Sequence, residues 1–156
     1  MTHTITEENY IKAIYLLQLT IEKVSTSLLS AEMNTKPASV TDMLKKLRAK
    51  RIVHYQRYKG FSLTEAGNKK ALSIIRKHRL WEYFLVNKLG FEWDEVHMVA
   101  EELEHITSNE LIIRLDNFLG NPSFDPHGDP IPDQHGKIKS LKQANLSTIP
   151  LKKTAS

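Results

Sequence analysis

Apolar residues recur every three or four positions through the first 50 residues, a spacing that predicts helices. A first helix is expected over 7–22, with Thr6 as its N-cap, and a short second helix over 27–33. Proline is tolerated in the first turn of a helix, so a third helix is expected to begin at Pro37 and run through Leu47. The apolar residues expected to pack inward on it are Val40, Met43, Leu44 and Leu47.

The pattern changes at Ile52, where β-branched and aromatic residues precede and follow Lys59-Gly60 and predict a hairpin. A long helix capped by Thr64 is expected next, running to about Lys88 and closed by Gly90. The last two predicted helices cover 93–106 and 110–119.

Helix, short helix, proline-started helix and hairpin follow one another in the order of a winged helix-turn-helix. The prediction is a mainly α protein, with a winged helix-turn-helix DNA-binding domain over 1–72 followed by an all-helical dimerisation domain over 73–136. Within the second domain, 121–136 is rich in proline and glycine and is expected to be irregular. Residues 137–156 are expected to form a tail or linker stub.

Composition narrows the class of protein. The 156 residues are 40% hydrophobic, enough for an ordinary core. No apolar run approaches the roughly 20 residues of a membrane-spanning helix, and residues 1–8 are polar, so a cytoplasmic protein without a membrane partner is expected. The chain has no cysteine, so any metal must be held by carboxylate, imidazole, amide or water.

Charge is distributed unevenly along the chain. Residues 1–72 carry twelve Lys and Arg against six Asp and Glu, whereas residues 73–120 carry five against nine. A basic first half suits a polyanion and an acidic second half suits cations.

The helix from Pro37 is expected to read DNA, because short hydroxyl side chains let a helix approach the major groove and lysines meet phosphates. The residues expected to face DNA there are Thr35, Lys36, Pro37, Ser39, Thr41, Asp42, Lys45 and Lys46. At the hairpin tip, Arg57, Tyr58 and Lys59 would reach the adjacent backbone or minor groove. The alternative is a small helical domain with a solvated basic face.

One face of the helix over 93–106 collects possible metal ligands. The residues that share this face are His97, Glu101, Glu104 and His105. The apolar residues of the same helix lie on another side, so the ligand face is expected not to overlap the core face; they are Val99, Leu103 and Ile106. Taken alone, such a stripe also suits a solvated surface.

His78 and Glu82 are more specific, because they continue the inward apolar stripe of the long helix. That stripe consists of Ala71, Ile74, Ile75 and Leu85. The two polar residues could satisfy each other across one turn. Two helices that each carry His and Glu in an acidic segment favour a metal instead, with Mn²⁺, Fe²⁺ or Zn²⁺ suited to these ligand types.

A metal-storing or metal-dependent hydrolytic protein with an incidental helix-turn-helix scaffold is the alternative function. It is the weaker one, because the chain has no His-Glu-x-x-His zinc motif, nucleophile elbow or phosphate-binding loop. The sequence is therefore not expected to be that of an enzyme.

Several segments, taken in order, resemble the diphtheria-toxin-repressor and manganese-transport-regulator family of metal-dependent repressors. The segments are Glu8-Asn9-Tyr10-Ile11, Lys36-Pro37-Ala38-Ser39-Val40-Thr41, Arg76-Lys77-His78-Arg79-Leu80, Val96-His97, Glu104-His105 and Gly128-Asp129-Pro130-Ile131-Pro132. The resemblance implies a homodimer that binds a two-fold symmetric double-stranded DNA operator when Mn²⁺ or Fe²⁺ is bound.

The resemblance also implies two metal sites. One would use Asn9, Glu101, Glu104 and His105, and the other His78, Glu82 and His97. Iron-type members place sulfur ligands where Asn9 and Glu101 stand. Manganese-type members usually carry aspartate at the position of Asn9, and the shorter ones carry glutamate at the position of Lys12.

Many relatives continue into an SH3-like third domain. The dimer contact is expected on the helices that contain the apolar residues Trp81, Phe84, Leu85, Leu89 and Leu115.

Overall fold

The computed structural model describes residues 2–138, which group into two compact units divided after Ile74. The elements that begin in the first unit are α1 (Ile5–Gln18), α2 (Thr26–Met33), α3 (Pro37–Ala49), β1 (Val53–Gln56), β2 (Gly60–Leu63) and α4 (Glu65–Leu89). The division falls within α4, and the second unit also contains α5 (Val96–Leu103) and α6 (Asn109–Phe118).

Helix α1 begins two residues before the predicted start. Thr4, not Thr6, is its N-cap, because Thr4 and Glu7 form a reciprocal capping box. The Thr4 amide donates to Glu7 Oε1 (2.9 Å), and the Glu7 amide donates to Thr4 Oγ1 (3.0 Å). The helix also ends at Gln18 rather than near residue 22, since the chain turns there and leads to Val24, which contacts the hairpin.

The first unit is built around the three helices of the helix-turn-helix. Its core includes Ile11 and Ile14 of α1 and Leu29 of α2, together with the inward face of α3. On α3 the structure confirms the predicted pattern: Val40, Leu44 and Leu47 are buried, and Met43 packs against them. Asn34 ends α2 in the left-handed conformation, and Pro37 begins α3.

The hairpin is antiparallel and is fixed next to its turn. Val53 pairs with Leu63, and Gln56 pairs with Gly60. The Phe61 amide donates to the Val24 carbonyl (2.9 Å), so the second strand is tied to the segment between α1 and α2. Gly60 has φ +78°, and a Cβ atom there would lie 2.5 Å from the Val24 oxygen, so only glycine fits this approach.

The second unit has its own apolar core. It consists of Leu80, Ile112, Leu115, Leu119 and Ile131, with Trp81, Tyr83 and Phe84 packed against them. Leu85 and Leu115 are therefore buried within one chain. Their side chains offer little surface to a second copy, and the expected dimer contact on the helices that carry them stays a prediction.

Two sequence expectations for the second unit need correction. Helix α5 is shorter than the predicted 93–106, because Glu92 to Glu95 form a turn in which the Glu92 amide donates to the Glu95 side chain (3.0 Å). The core face of α5 carries Val96, Ala100 and Glu104, whereas Val99 and Leu103 are only half-buried. The predicted separation of ligand face and core face is therefore wrong at Glu104.

Residues 121–138 contain no helix or strand but are held by turns and by an isolated bridge between Phe124 and Pro130. Asp125 organises this segment, because its Oδ1 accepts hydrogen bonds from the amides of His127 (2.9 Å) and Asp129 (2.8 Å). Most of the predicted tail, 139–156, lies outside the described residues. In the part that is described, every helix is too short or too polar to cross a lipid bilayer.

Candidate metal centre and DNA-reading surface

Helix α4 places an imidazole and a carboxylate on its buried side. His78 and Glu82 lie one turn apart and are only 5% and 2% exposed, with 3.4 Å between His78 Nε2 and Glu82 Oε2. The predicted inward direction of both side chains is thus confirmed. Their mutual contact is long for a hydrogen bond, so it does not by itself account for burying both groups.

His97 of α5 lies against this pair. Its Nδ1 atom is 3.2 Å from His78 Nε2 and 3.7 Å from Glu82 Oε2. The donor atoms of His78, Glu82 and His97 all lie within 4.8 Å of one another. Metal–ligand bonds of about 2.0–2.2 Å place the donors of one ion roughly 3–4.4 Å apart, so only small side-chain shifts are needed to bind a cation here.

Two further donors come from the segment after α6, which the sequence analysis did not single out. His127 Nδ1 lies 3.4 Å from Glu82 Oε2 and 3.7 Å from Asp125 Oδ2. Glu82, Asp125 and His127 form a second group whose donor atoms lie within 4.8 Å of one another. The Asp125-Pro126-His127 spacing was the available signal, but it has no helical or strand period that would orient it.

Glu82 belongs to both groups, so the five residues form one cluster, here called the Glu82 cluster. Its members are His78, Glu82, His97, Asp125 and His127. The cluster combines three imidazoles and two carboxylates without sulfur. This donor set suits Mn²⁺, Fe²⁺ or Zn²⁺.

The two carboxylates of the Glu82 cluster, Glu82 and Asp125, repel each other when both are ionised. Burial and the neighbouring Glu82 raise the pKa of Asp125 to about 6. Burial alone would raise the pKa of Glu82 as well, but its neighbours His78 and Asp125 lower it to about 2. Within residues 2–138, no group donates a hydrogen bond to the buried Asp125 Oδ2. A divalent cation would fit this unsatisfied oxygen and offset the repulsion.

His127 is held in place by neighbours on both sides. One ring nitrogen contacts the Trp93 carbonyl (2.8 Å), and the two rings meet edge to face. Burial lowers the pKa of His127, but the Trp93 carbonyl and the carboxylates of Glu82 and Asp125 outweigh burial and raise it above its ordinary value. Nδ1 therefore faces the cluster while the other nitrogen is fixed by the backbone.

Glu104 links the Glu82 cluster to the other predicted ligand set. It is fully buried, and its Oε1 atom accepts a hydrogen bond of 2.7 Å from His78 Nδ1. An ionised carboxylate can only accept, so with Glu104 ionised this bond places a proton of His78 on Nδ1, and Nε2 faces Glu82 and His97.

The other predicted ligands are placed as follows. His105 Nε2 lies 3.9 Å from Glu104 Oε2. Glu101 is exposed and contacts His97 Nε2 (2.7 Å), so the structure pairs it with the Glu82 cluster. Asn9 is an exposed residue of α1 in the first unit. The assignment of Asn9, Glu101, Glu104 and His105 to one ion stays a prediction.

The first unit presents a polar, mostly basic surface along α3. Lys36, the N-cap of α3, makes no side-chain capping bond, and Pro37 follows it at the first helical position. The exposed residues of α3 and its N-cap include Lys36, Pro37, Ser39, Thr41, Asp42 and Lys45, whereas Thr35 is half-buried. Arg57, Tyr58 and Lys59 are exposed at the hairpin tip. The exposed side of α3 lies opposite its buried residues, which is the arrangement a reading helix needs.

Two family models match successive parts of the chain. Residues 3–61 match the family described as iron dependent repressor, N-terminal DNA binding domain. Residues 64–133 match the metal binding and dimerisation domain of the same repressors.

Individual relatives cover most of the chain. An uncharacterised HTH-type transcriptional regulator of Methanocaldococcus jannaschii is 37% identical over 113 residues, which are 72% of this chain and 90% of the relative. The iron-dependent repressor IdeR of Mycobacterium tuberculosis is 31% identical over 127 residues, 81% of this chain and 55% of that protein.

Among solved structures, a manganese-dependent transcriptional repressor in complex with manganese is 40% identical, with a TM-score of 0.79 over 86% of this chain and 62% of that one. The chain thus spans less than two thirds of the mycobacterial repressor and of the manganese-bound structure. Since its first half matches their DNA binding domain and its second half their metal binding and dimerisation domain, the chain belongs to the iron-dependent repressor family, the diphtheria-toxin-repressor family that its motifs resemble.

Proposed function

We propose that this chain is a metal-dependent transcriptional repressor that controls metal homeostasis genes as a homodimer. DNA binding is assigned to residues 1–72, and metal binding and dimerisation to 73–136. The observation that carries the proposal is the Glu82 cluster, whose buried, mutually repelling carboxylates lie among three imidazoles. Membership in a family of repressors disfavours the metal-storing or hydrolytic alternative.

The proposed regulatory metal is Mn²⁺ or Fe²⁺. A site without sulfur suits the harder of these ions, and the solved relative that is 40% identical contains manganese. One ion would be held by the Glu82 cluster, in which Asp125 supplies the oxygen that otherwise lacks a partner. A second ion would use Asn9, Glu101, Glu104 and His105, an assignment that rests on the resemblance alone.

The proposed mechanism is thermodynamic linkage. A metal that binds more tightly to the DNA-binding arrangement of the dimer raises the affinity of the dimer for DNA. Bound DNA then raises the affinity for the metal by the same factor. Two α3 helices related by a two-fold axis would enter major grooves about one helical turn, roughly 34 Å, apart, so the operator would be a two-fold symmetric duplex. The protein would act in the cytoplasm, where it meets both the DNA and the imported metal.

The residues proposed to contact DNA fall into two groups. Those of α3 and the turn before it are Thr35, Lys36, Pro37, Ser39, Thr41, Asp42 and Lys45, and those of the hairpin are Arg57 and Lys59. The hydroxyl residues would approach base edges, whereas the lysines and arginine would neutralise phosphates.

The test begins with selection of duplexes from a random pool in the presence of Mn²⁺. Binding of a selected fluorescent duplex is then measured at fixed salt while Mn²⁺, Fe²⁺ or Zn²⁺ is titrated. We expect saturable binding that appears with Mn²⁺ or Fe²⁺ and is reversed by a chelator. Failure to enrich any duplex, or binding that ignores metal, would rule the proposal out.

A further inference from the structure

The connection between α4 and α5 forms a closed turn. The Phe91 amide donates to the Leu85 carbonyl (3.0 Å), which fixes the start of the connection to α4. At the other end, the Glu95 amide donates to the Glu92 carbonyl (3.1 Å), and the Glu92 amide donates to the Glu95 side chain (3.0 Å). Trp93 is therefore held on a turn whose backbone is fixed on both sides.

This turn contacts one imidazole of the Glu82 cluster and directly precedes another. The Trp93 carbonyl lies 2.8 Å from His127 Nε2, and the two rings meet edge to face with their centres 5.5 Å apart. The turn leads into Val96, the fully buried first residue of α5, which His97 follows. One short turn thus bears on the placement of two of the three imidazoles.

The contact with the Trp93 carbonyl decides which nitrogen of His127 faces the cluster. A carbonyl oxygen only accepts hydrogen bonds, so Nε2 carries the proton, and a neutral imidazole then has its lone pair on Nδ1. Nδ1 lies 3.4 Å from Glu82 Oε2 and 3.7 Å from Asp125 Oδ2. The nitrogen that can bind a cation therefore lies beside the two carboxylates that would share it.

The Trp93 side chain contributes little to the fold of the second unit. It is 62% exposed, and stabilisation by an apolar side chain scales with the area removed from water. Its ring packs instead against His127, whose side chain is 24% exposed. The indole thus covers part of the imidazole and limits its rotation.

We propose that Trp93 is a positioning residue of the metal centre, which holds His127 through its backbone carbonyl and its ring so that Nδ1 can bind the ion. The carbonyl fixes the tautomer, and the ring limits both rotation of the imidazole and the access of water to it. Outer partners of metal-bound imidazoles raise metal affinity in this way without contacting the ion. The inference rests on the proposed metal binding and adds to it a residue outside the Glu82 cluster.

The test compares Trp93→Ala and Trp93→Phe with the wild-type protein in calorimetric titrations with Mn²⁺. Trp93→Ala should weaken Mn²⁺ binding roughly tenfold, the lower end of the loss expected for an outer partner, because the carbonyl remains. Trp93→Phe keeps an aromatic ring against His127 and should restore most of the affinity. The unfolding midpoint of the metal-free protein should change little in either variant, because Trp93 is exposed.

Nitrogen NMR of the Zn²⁺-loaded protein reports the imidazole directly, because Zn²⁺ is diamagnetic. In the wild type, His127 should bind the metal through Nδ1 and carry on Nε2 a proton that exchanges slowly with water. Exchange should be faster in Trp93→Ala, whereas Trp93→Phe should resemble the wild type. A purely structural role of the ring would leave this signal unchanged.

Phe118→Ala is the matched control, because Phe118 is a similarly exposed aromatic residue (65%) of the same unit. It should bind Mn²⁺ like the wild type. Wild-type affinity in Trp93→Ala, an equal loss in Phe118→Ala, or a wild-type His127 proton on Nδ1 would each overturn the inference.

The titrations need no DNA, so they separate this inference from the proposed function. Metal binding without DNA binding would overturn the repressor function alone. A wild-type protein that binds neither Mn²⁺ nor Zn²⁺ would overturn the proposed metal binding and the role of Trp93 with it.

Discussion

Glu82 is buried among three imidazoles and a second carboxylate. Moving an ionised carboxylate from water into a protein interior costs several kcal/mol unless it is well paired. His78 and His127 contact the Glu82 carboxylate, whereas the charge of Glu82 raises the pKa of the neighbouring Asp125. A bound cation would stabilise these two neighbouring carboxylates in their charged forms.

Asp125→Asn tests this arrangement. The amide oxygen can still accept the hydrogen bonds of the His127 and Asp129 amides, and the new NH₂ group can donate to Glu82. We expect Mn²⁺ affinity, measured by calorimetry, to fall at least about tenfold. The metal-free protein should be as stable as the wild type, or up to about 1 kcal/mol more stable, in urea unfolding.

Asp129→Asn is the matched control, because Asp129 is an exposed aspartate of the same segment. It should alter neither metal affinity nor stability. If both variants weakened Mn²⁺ binding equally, the effect would be one of general charge and Asp125 would not be a ligand.

Glu104 requires a different substitution, because it is fully buried and accepts the hydrogen bond of His78. Glu104→Ala leaves a cavity and an unpaired imidazole N–H, and should lower the free energy of unfolding by about 2–4 kcal/mol. Glu104→Gln keeps an acceptor and should cost about 1 kcal/mol. Its metal affinity should still fall, because an amide oxygen replaces a carboxylate.

The comparison of these two variants separates folding from metal binding. Both are measured by urea unfolding without metal and by calorimetric titration with Mn²⁺. A Gln variant with wild-type metal affinity would show that Glu104 supports His78 and does not coordinate the ion.

At the scale of elements, α1 depends on its N-terminal capping box and on a tertiary ion pair. Glu7 Oε2 lies 2.7 Å from Lys50 Nζ at the end of α3. Burial would raise the pKa of Glu7, but the hydrogen bonds from Lys50 and Thr4 outweigh it and hold the pKa below its ordinary value. Glu7 therefore joins the start of α1 to α3.

This shift predicts a pH dependence. Because the pKa of Glu7 is lower in the folded than in the unfolded chain, its contribution is complete above the unfolded pKa and is lost as pH falls through the folded one. Glu7→Gln should lower the free energy of unfolding by about 1 kcal/mol near neutral pH and have little effect in acid. Urea unfolding across pH measures this, with the exposed Glu22 changed to Gln as the control. A pH-independent difference would contradict the ionic explanation.

At the scale of the whole molecule, the second unit leaves large apolar side chains exposed. They include Leu89 (57%), Trp93 (62%), Met98 (77%) and Phe118 (65%). We expect a second copy to cover these exposed apolar residues, because they lie in a domain that matches a dimerisation domain. Leu89 and Phe118 lie on α4 and α6, two of the helices on which the dimer contact is expected, whereas Leu85 and Leu115 of the same helices are buried.

We expect the metal-free protein to be a dimer in analytical ultracentrifugation. Met98→Glu and Phe118→Glu should each shift the equilibrium toward monomer, since a charge would be buried in the interface. Ile5→Glu is the control, because Ile5 is 61% exposed in the first unit. Dissociation by Ile5→Glu alone would place the contact elsewhere.

The sequence by itself determined the features that depend on local periodicity. The inward residues of α3, the start of that helix at Pro37 and the hairpin around Lys59-Gly60 follow from helical spacing, proline geometry and turn chemistry. The inward direction of His78 and Glu82 follows as well, because a buried helix imposes its period on every residue of its stripe.

Only the tertiary structure decided which donors complete the cluster. Asp125 and His127 lie in a segment without a period, and turns and the packing of Ile131 against the second core bring them to Glu82. The burial of Glu104 likewise could not be read from the apolar residues of α5. It is stabilised by a hydrogen bond to His78 on another helix, and such long-range pairing leaves no trace in the spacing of either helix.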